Sequence, residues 1–246
     1  MRMLDLFSGI GGFALAAEWV WKEDLDIVGF CEIDKYCQKV LAKHWSDVPI
    51  YDDITKLDGR QFKNIDLITG GFPCQDISVA GRGKGIKEGT RSGLWSEMHR
   101  IISDIRPRFT LIENVPMLTI RGGSRVISDL AEIGMDAEWK IIGADEVGAW
   151  HRRKRIWIAA YLPDTNESGL EGRDSGILSK CSGEQSARER SPFASGGNYW
   201  LTEPNVGRVA DGIPSRVDRL KGLGNAIVPQ VAQNIMQRIK RLIDEK

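Results

Sequence analysis

The sequence predicts an α/β fold, a doubly wound and mostly parallel sheet with helices on both of its faces. Three observations predict it. Short apolar runs alternate with segments whose apolar residues recur at helical spacing, which is the order of βαβ units. A glycine-rich turn joins the first of these runs to the first helical segment. The chain of 246 residues is also long enough to bury a substantial core.

The elements follow from these patterns in order. Six apolar runs have the length and composition of strands: Met3–Phe7, Asp26–Glu32, Ile65–Gly70, Phe109–Glu113, Trp139–Ile142 and Arg155–Leu162. Two internal helices are indicated by apolar residues at helical spacing: Leu94, Met98, Ile101, Ile102 and Ile105 in one, and Val126, Leu130 and Ile133 in the other. A last helix, expected to pack back on the sheet, has one apolar face: Ile227, Val231, Ile235 and Ile239.

The stretch from Asp164 to Asn205 interrupts this pattern. It is rich in Ser, Gly, Glu and Arg, and its few apolar residues cannot bury a core of their own. We therefore expect loops that are braced against the main domain. The predicted organisation is a main domain over residues 1–163, a polar region over 164–206 and a segment over 207–246 that returns to the main domain.

Composition argues against several classes of protein. With 34 basic and 34 acidic residues, the net charge does not by itself announce a nucleic-acid partner, so any such partner would be held by local patches. The four cysteines show no CxxC spacing, which indicates neither a metal site nor a disulfide framework. No long apolar segment or signal-peptide layout is visible. We expect a monomeric, cytoplasmic protein without a membrane partner.

The glycine-rich turn, Phe7–Ala14, has the features of a ligand site. Glycines let a ligand approach the backbone, and the start of a helix supplies free N–H groups. Glu32 ends the second strand, close to where an acid grips ribose hydroxyls in nucleotide-binding folds. Gly9, Gly11 and Ala14 satisfy GxGxxA, so NAD and S-adenosylmethionine both stay open, as does a tight turn without a ligand.

Cys74 follows Gly70, Gly71 and Pro73, which break the third strand and hold the thiol at its carboxyl end. Ligands of open parallel sheets bind at that edge. Nearby positive charge can activate such a thiol as a nucleophile, and a buried, inert cysteine is the alternative. Glu113 ends the fourth strand at the same edge, where apolar neighbours would raise its pKa and make it a proton donor. A nucleophile and an acid together suit addition to an electron-poor ring.

A basic run, His151–Arg155, leads into the last predicted strand. Strand alternation would place His151, Arg153 and Arg155 on one side of that strand. Such a run is often a solvated edge. Because this one adjoins the edge with the candidate nucleophile and acid, we expect it to contact a phosphate or a base.

In this order the motifs resemble those of the DNA (cytosine-5)-methyltransferase family, in a compact form with a short target-recognition region. The resemblance covers residues 3–162 and 207–235. The matching stretches are Asp5–Phe13, Cys31–Asp34, Asp53–Ile54, Gly71–Gln75, Glu113–Val115, Arg153 with Arg155, and Leu223–Pro229. His151 stands where the family usually has glutamine. The resemblance implies a Rossmann-like methyltransferase sheet.

The resemblance also implies the chemistry of the family. Cys74 would add to C6 of a cytosine flipped out of double-stranded DNA, and C5 would then take the methyl group of S-adenosylmethionine. Glu113 would hold N3 of the base, Arg155 would contact the base, and Arg153 would complete the catalytic set. S-adenosylhomocysteine and 5-methylcytosine would be the products, in DNA methylation of the restriction-modification type.

Two sets of binding residues come with the resemblance. The cofactor set is Phe7, Gly9, Gly11, Gly12, Glu32, Ile33, Asp53, Ile54, Pro73, Asn225 and Ala226. The DNA set is Gln75, Ser78, Arg82, Arg91 and Arg208. No metal is expected. Residues 164–206 would form the target-recognition region and would read about two to four base pairs.

Other functions stay open from the sequence alone. An RNA cytosine-5 methyltransferase would use the same chemistry on the base, and contacts to a 2′-hydroxyl cannot be recognised in the sequence. An NAD-binding oxidoreductase would leave Cys74 and Glu113 without a shared purpose. A catalytically silent DNA-binding relative is disfavoured because Cys74, Glu113, Arg153 and Arg155 are all present.

Overall fold

The computed structural model of the protein describes residues 1–73, 94–163, 176–178 and 216–245. The strands of this part of the chain are β1 (Arg2–Leu6), β2 (Asp26–Cys31), β3 (Ile50–Tyr51), β4 (Leu67–Gly70), β5 (Phe109–Asn114), β6 (Asp136–Ile142) and β7 (Arg155–Tyr161). Its helices are α1 (Gly12–Trp21), α2 (Lys35–His44), α3 (Leu94–Ile105), α4 (Leu118–Arg121), α5 (Gly123–Glu132), α6 (Arg216–Asn225) and α7 (Pro229–Asp244). None of these helices is long and apolar enough to cross a membrane.

All the described strands belong to one sheet, in the order β3-β2-β1-β4-β5-β7-β6. The pairs β1–β2, β1–β4, β2–β3 and β4–β5 are parallel, whereas β7 runs antiparallel to both of its neighbours. The chain therefore winds outward from β1 in both directions, which puts helices on both faces. The doubly wound, mostly parallel sheet predicted from the alternating pattern is confirmed.

Two apolar clusters cover the two faces of the sheet. Helices α3 and α5 contribute to one cluster, in which Trp95 and Val126 are fully buried. Helices α1 and α7 contribute to the other and pack against each other, with Ile235 of α7 fully buried. Ile177 and Leu178, which come from the polar stretch, are buried in this second cluster. The described part of that stretch therefore adds two apolar side chains to the core of the main domain.

The elements differ from the predicted ones at several points near the edge of the sheet. β1 ends at Leu6, because Phe7 takes a left-handed φ of 53° that leaves the strand. Proline suits the first turn of a helix, and α7 begins at Pro229, so Ile227 precedes the helix instead of lying on its face. The strand β3 was not predicted, since two residues are too few to show an apolar pattern.

Only the last residue of the basic run, Arg155, belongs to a strand. β7 begins only at Arg155, and Arg153 has a φ of 26°, so the predicted strand alternation of this run is wrong. The run instead ends the loop between β6 and β7. In that loop the N–H of Ala144 donates a 2.7 Å hydrogen bond to the carbonyl of Arg152.

Candidate active site

The carboxyl ends of four neighbouring strands meet at one edge of the sheet. Leu6 pairs with Cys31 on one side and with Gly70 on the other, and Gly70 pairs with Ile112. The antiparallel β7 begins at the same edge, because its Ile156 pairs with Asn114 at the end of β5. The candidate residues that follow or precede these strand ends are therefore brought together.

Glu113 is the acid at this edge. Its side chain is buried, and its Oε1 forms a 2.8 Å ion pair with Nε of Arg155. Burial raises the pKa of Glu113 to about 7, while the positive charges of Arg155 and Arg153 oppose the rise. The raised pKa agrees with the prediction from the apolar strand. A carboxyl of this kind can give or accept a proton near neutral pH.

The chain that leads to Cys74 passes beside Glu113. A Cβ atom on Gly71 would lie 3.2 Å from Oε2 of Glu113, so the backbone after β4 is in close contact with the carboxylate. The side-chain amide of Asn114 donates a 3.0 Å hydrogen bond to the carbonyl of Phe72, which joins the ends of β4 and β5. Six predicted site residues lie outside the described residues: Cys74, Gln75, Ser78, Arg82, Arg91 and Arg208.

The residues on either side of the stretch with Cys74 meet in the core. The rings of Phe72 and Trp95 have centroids 5.4 Å apart. Nε1 of Trp95 donates a 2.6 Å hydrogen bond to Oδ2 of Asp129, and Nε2 of His99 lies 2.9 Å from the carbonyl oxygen of Asp129. The chain therefore leaves the sheet after β4 and returns at the start of α3 to a position fixed against α5.

The three glycines of the turn after β1 have different structural roles. Gly11, with a φ of 85°, packs so tightly on the ring of Trp45 that it has no room for a Cβ atom. A Cβ atom on Gly12 would lie only 2.6 Å from Cγ1 of Ile227. Around Gly9, with a φ of 55°, no atom of the described residues lies within 4 Å of such a Cβ. Open space is thus found at Gly9, whereas Gly11 and Gly12 permit packing within the protein.

Glu32 directly follows β2 and links the ends of β1 and β2. Its Oε2 accepts a 2.7 Å hydrogen bond from the N–H of Gly9, and its Oε1 accepts one of 2.7 Å from the N–H of Asp34. Ile33 beside it is 74 % exposed, an unusual state for a branched apolar side chain. An acid and an exposed apolar surface are thus adjacent at the mouth of the turn.

These residues fit a ligand that carries polar and aromatic groups. Behind the turn, Asp5 is fully buried, and its Oδ1 accepts a 2.6 Å hydrogen bond from the hydroxyl of Thr69. The other oxygen, Oδ2, has no hydrogen-bond partner among the described residues, and burial raises the pKa of Asp5 to about 7. An acidic oxygen without a partner, the space over Gly9 and the exposed Ile33 together suit an adenosine-containing ligand.

Asp53 and Ile54 are placed by β3, the strand that was not predicted. Asp53 caps a short 3-10 helix, Ile54–Lys56, through its side chain. Arg100 of α3 donates to the carbonyls of Ile54 and Leu57, both at 2.9 Å. The sequence gives no signal for this role of Arg100, because an arginine on the polar side of an amphipathic helix is ordinarily solvated.

Arg153 and Arg155 have different partners. Arg155 pairs with Glu113, whereas one Nη of Arg153 donates to the carbonyls of Gly224 and Ala226 at 2.8 and 2.6 Å. The buried Nε of Arg153 has no hydrogen-bond partner in the described part of the chain. Arg153 therefore ties the end of α6 and the residue after it to the start of β7, which brings the predicted cofactor residue Ala226 to the same edge as Glu113.

Comparison with known proteins agrees with this arrangement. The family model for C-5 cytosine-specific DNA methylases matches residues 1–192. The type II methyltransferase M2.BsuMI of Bacillus subtilis is 36% identical over 193 residues, which cover 71% of this chain and 48% of that protein. The orphan methyltransferase M.Rho11sI of Bacillus phage rho11s is 31% identical over 217 residues, covering 85% and 42%. The chain thus spans about half the length of the curated relatives it matches.

Solved structures show the same fold. A DNMT2 mutant from Spodoptera frugiperda superposes with a TM-score of 0.58 at 21% identity, covering 70% of this chain and 53% of that one. Dnmt2 from S. pombe gives a TM-score of 0.56 at 20% identity, covering 73% and 53%. The match to the family model extends over the glycine-rich turn, the end of β4 and Glu113. This chain therefore belongs to the C-5 cytosine-specific DNA methylase family.

Proposed function

We propose that the chain transfers a methyl group from S-adenosylmethionine to C5 of a cytosine flipped out of double-stranded DNA. The observation that carries the proposal is the position of Glu113. This buried carboxyl, with a pKa of about 7, contacts the backbone that leads to Pro73 and Cys74. The order of the motifs and the family of the chain support the same chemistry.

Glu113 would hold the target base through N3. A protonated carboxyl donates to N3 and draws electrons from the ring, which makes C6 easier to attack. Arg155 favours the ionised carboxylate, whereas burial favours the protonated one, and the two effects leave both forms populated near neutral pH. A group that must give and take one proton in each cycle needs this balance.

Cys74 would supply the nucleophile. Its sulfur adds to C6, C5 then forms a bond to the methyl carbon, and S-adenosylhomocysteine leaves. Loss of the C5 proton and departure of the sulfur release 5-methylcytosine. Burial raises the pKa of two other thiols, Cys31 and Cys37, to about 12, so they stay protonated and do not compete.

The methyl donor would bind along the ends of β1, β2 and β3. When bound, S-adenosylmethionine supplies an electrophilic methyl group. Glu32 would bind the ribose hydroxyls, and Phe7 and Ile33 would provide apolar contact. The remaining residues of the proposed donor site are Gly9, Gly11, Gly12, Asp53, Ile54, Pro73, Asn225 and Ala226.

Duplex DNA would bind at the same edge. A paired base cannot reach a carboxyl as buried as Glu113, so the cytosine must leave the stack, at a few kcal/mol of unstacking. We assign the phosphate and base contacts around it to Gln75, Ser78, Arg82, Arg91 and Arg208. Recognition of the target sequence is assigned to residues 164–206.

Incubation with tritiated methyl donor and matched DNA and RNA duplexes tests the function. We expect label at cytosine C5 in DNA, at sites that sequencing can map. Cys74→Ala should transfer no methyl group and should still bind the donor, because the thiol acts on the base. Label in RNA alone would assign the chain to RNA instead, and full activity of Cys74→Ala would contradict the covalent mechanism.

A further inference from the structure

The loop between β6 and β7 carries an exposed tryptophan, Trp150. Its side chain is 77 % exposed, although burial of a large aromatic ring is strongly favourable. Single exposed apolar residues are common on protein surfaces, but one beside a binding site is informative. The function proposed above leaves Trp150 without a role.

The loop holds Trp150 in a defined position. The N–H of Ala149 donates to the carbonyl of Ala144 at 3.0 Å, and the N–H of Ala144 donates to the carbonyl of Arg152 at 2.7 Å. These bonds fix the chain on both sides of the tryptophan. The ring is therefore presented to solvent by a hydrogen-bonded loop, with little conformational freedom to lose on binding.

Trp150 lies close to the proposed base pocket. A chain spans at most about 3.6 Å per residue, so the Cα atoms of Trp150 and Arg153 are within about 11 Å of each other. Arg153 is near enough to Glu113 for its charge to lower the pKa of that carboxyl. Neighbouring bases of one strand are about 3.4 Å apart. Trp150 is thus within a few nucleotides of a cytosine held by Glu113.

The charges around Trp150 suit a nucleic acid. Arg152 and Lys154 are exposed, and no carboxylate of the described residues forms an ion pair with either. Two acids, Asp145 and Glu146, belong to the same loop: Glu146 accepts a hydrogen bond from the N–H of Gly143, and Asp145 packs against Gly143, next to the carbonyl of Arg152. Exposed cations bind phosphates, and an exposed aromatic ring near them can stack on a base.

We propose that Trp150 stacks on a DNA base next to the flipped cytosine and stabilises the extruded state. The inference rests on the proposed function, since it needs a base that has left the duplex. Flipping exposes one face of each neighbouring base to water. An aromatic ring that covers such a face replaces part of the lost stacking and does so for any base.

Three variants test the proposal: Trp150→Ala, Trp150→Phe and, as a matched control, Trp139→Ala. Trp139 is also an exposed tryptophan, at 55 %, but it lies in the middle of β6 and not in the loop that carries Trp150. We would measure kcat/KM for duplex DNA, the Kd of the methyl donor, and the fluorescence of 2-aminopurine at the target position, which rises on unstacking.

We expect Trp150→Ala to lower kcat/KM for duplex DNA roughly tenfold, the typical effect of losing one stacked ring, and to lower the fluorescence rise. Trp150→Phe should recover most of both, and donor affinity should not change. Trp139→Ala should behave as wild type. Wild-type behaviour of Trp150→Ala, or an equal loss in Trp139→Ala, would overturn the role of Trp150 in stacking and would leave the proposed function standing. A wild-type chain that neither binds nor methylates DNA would overturn the proposed function as well.

Discussion

Glu113 makes the site sensitive to pH. If the protonated carboxyl holds N3, turnover should fall as the pH rises through about 7, the raised pKa of this group. Glu113→Gln keeps a donor but cannot deliver a proton, so we expect a loss of roughly 10²-fold in kcat and the disappearance of the Glu113 ionisation from the pH profile of kcat. The pH profile of kcat for both proteins, with donor Kd as the control, tests this. Equal loss of donor binding would indicate a structural role.

The raised pKa of Glu113 also affects the free energy of unfolding. Because the pKa of Glu113 is raised from 4.5 to about 7, the folded chain holds a proton that the unfolded chain releases in this range. Its contribution to stability is complete below pH 4.5 and is lost as the pH rises through about 7. The stability of Glu113→Gln relative to wild type should therefore increase across this window. Denaturant unfolding at several pH values measures it, and a constant difference would contradict the assignment.

Gly12 and Ile227 join the two ends of the described chain at the site. A Cβ atom at position 12 would lie 2.6 Å from Cγ1 of Ile227, so Gly12→Ala should destabilise the fold by about 1–3 kcal/mol. Adding Ile227→Ala removes the clashing atom and should recover part of this loss. Denaturant unfolding of both single variants and the double variant gives the coupling energy. If the effects of Gly12→Ala and Ile227→Ala on stability are additive, a shift of the backbone relieves the contact between position 12 and Ile227.

At the scale of elements, local sequence patterns predicted the strands, but they did not predict the long-range contacts between elements. The apolar runs of β1, β4 and β5 predicted strands, and Glu113, which was predicted to end such a run, lies one residue before the end of β5. The hydrogen bonds from Arg153 to Gly224 and Ala226 could not be predicted, since nothing in the sequence indicates which carbonyls an arginine will meet. A long-range contact depends on the packed fold, not on spacing.

Helix α3 and the turn after β3 are linked by Arg100, and this link should matter for donor binding. Arg100→Lys keeps the charge but cannot bond two carbonyls with a planar fork. We expect donor Kd to rise roughly tenfold, as for one or two lost hydrogen bonds, while kcat at saturating donor changes little. Calorimetry measures the Kd.

Arg60→Lys is the matched control for Arg100→Lys. Arg60 bonds Asp58 on the surface of a neighbouring turn, and among the described residues its guanidinium forms hydrogen bonds with that acid alone. Its replacement should leave donor Kd unchanged. If both variants bind the donor as wild type does, Arg100 has no part in shaping the site.

The polar stretch is anchored to β6. The N–H of Leu178 donates to Oε2 of Glu138 at 3.1 Å, and Nζ of Lys140 lies 3.4 Å from the carbonyl oxygen of Leu178. Ile177 and Leu178 are buried in the core. A replacement of residues 164–206 that included them would therefore disturb the main domain as well as the proposed recognition region.

A linker exchange that spares this anchor tests where the target is recognised. With residues 179–205 replaced by a Gly/Ser linker of equal length, we expect donor binding and thermal stability to stay close to wild type. The sequence pattern of methylation should disappear, or methylation of duplex DNA should stop. Methylation of the same sites at the same relative rates would show that recognition lies elsewhere.

At the scale of the whole molecule, the packing of α7 on α1 has a consequence for synthesis. Helix α1 ends at Trp21, and α7 begins only at Pro229. At the usual 5–20 residues per second, a ribosome takes roughly 10–40 s to cover that interval. During this time the apolar side of α1 lacks its partner and is open to chaperones or to aggregation. A nascent chain should therefore be inactive until α7 has emerged.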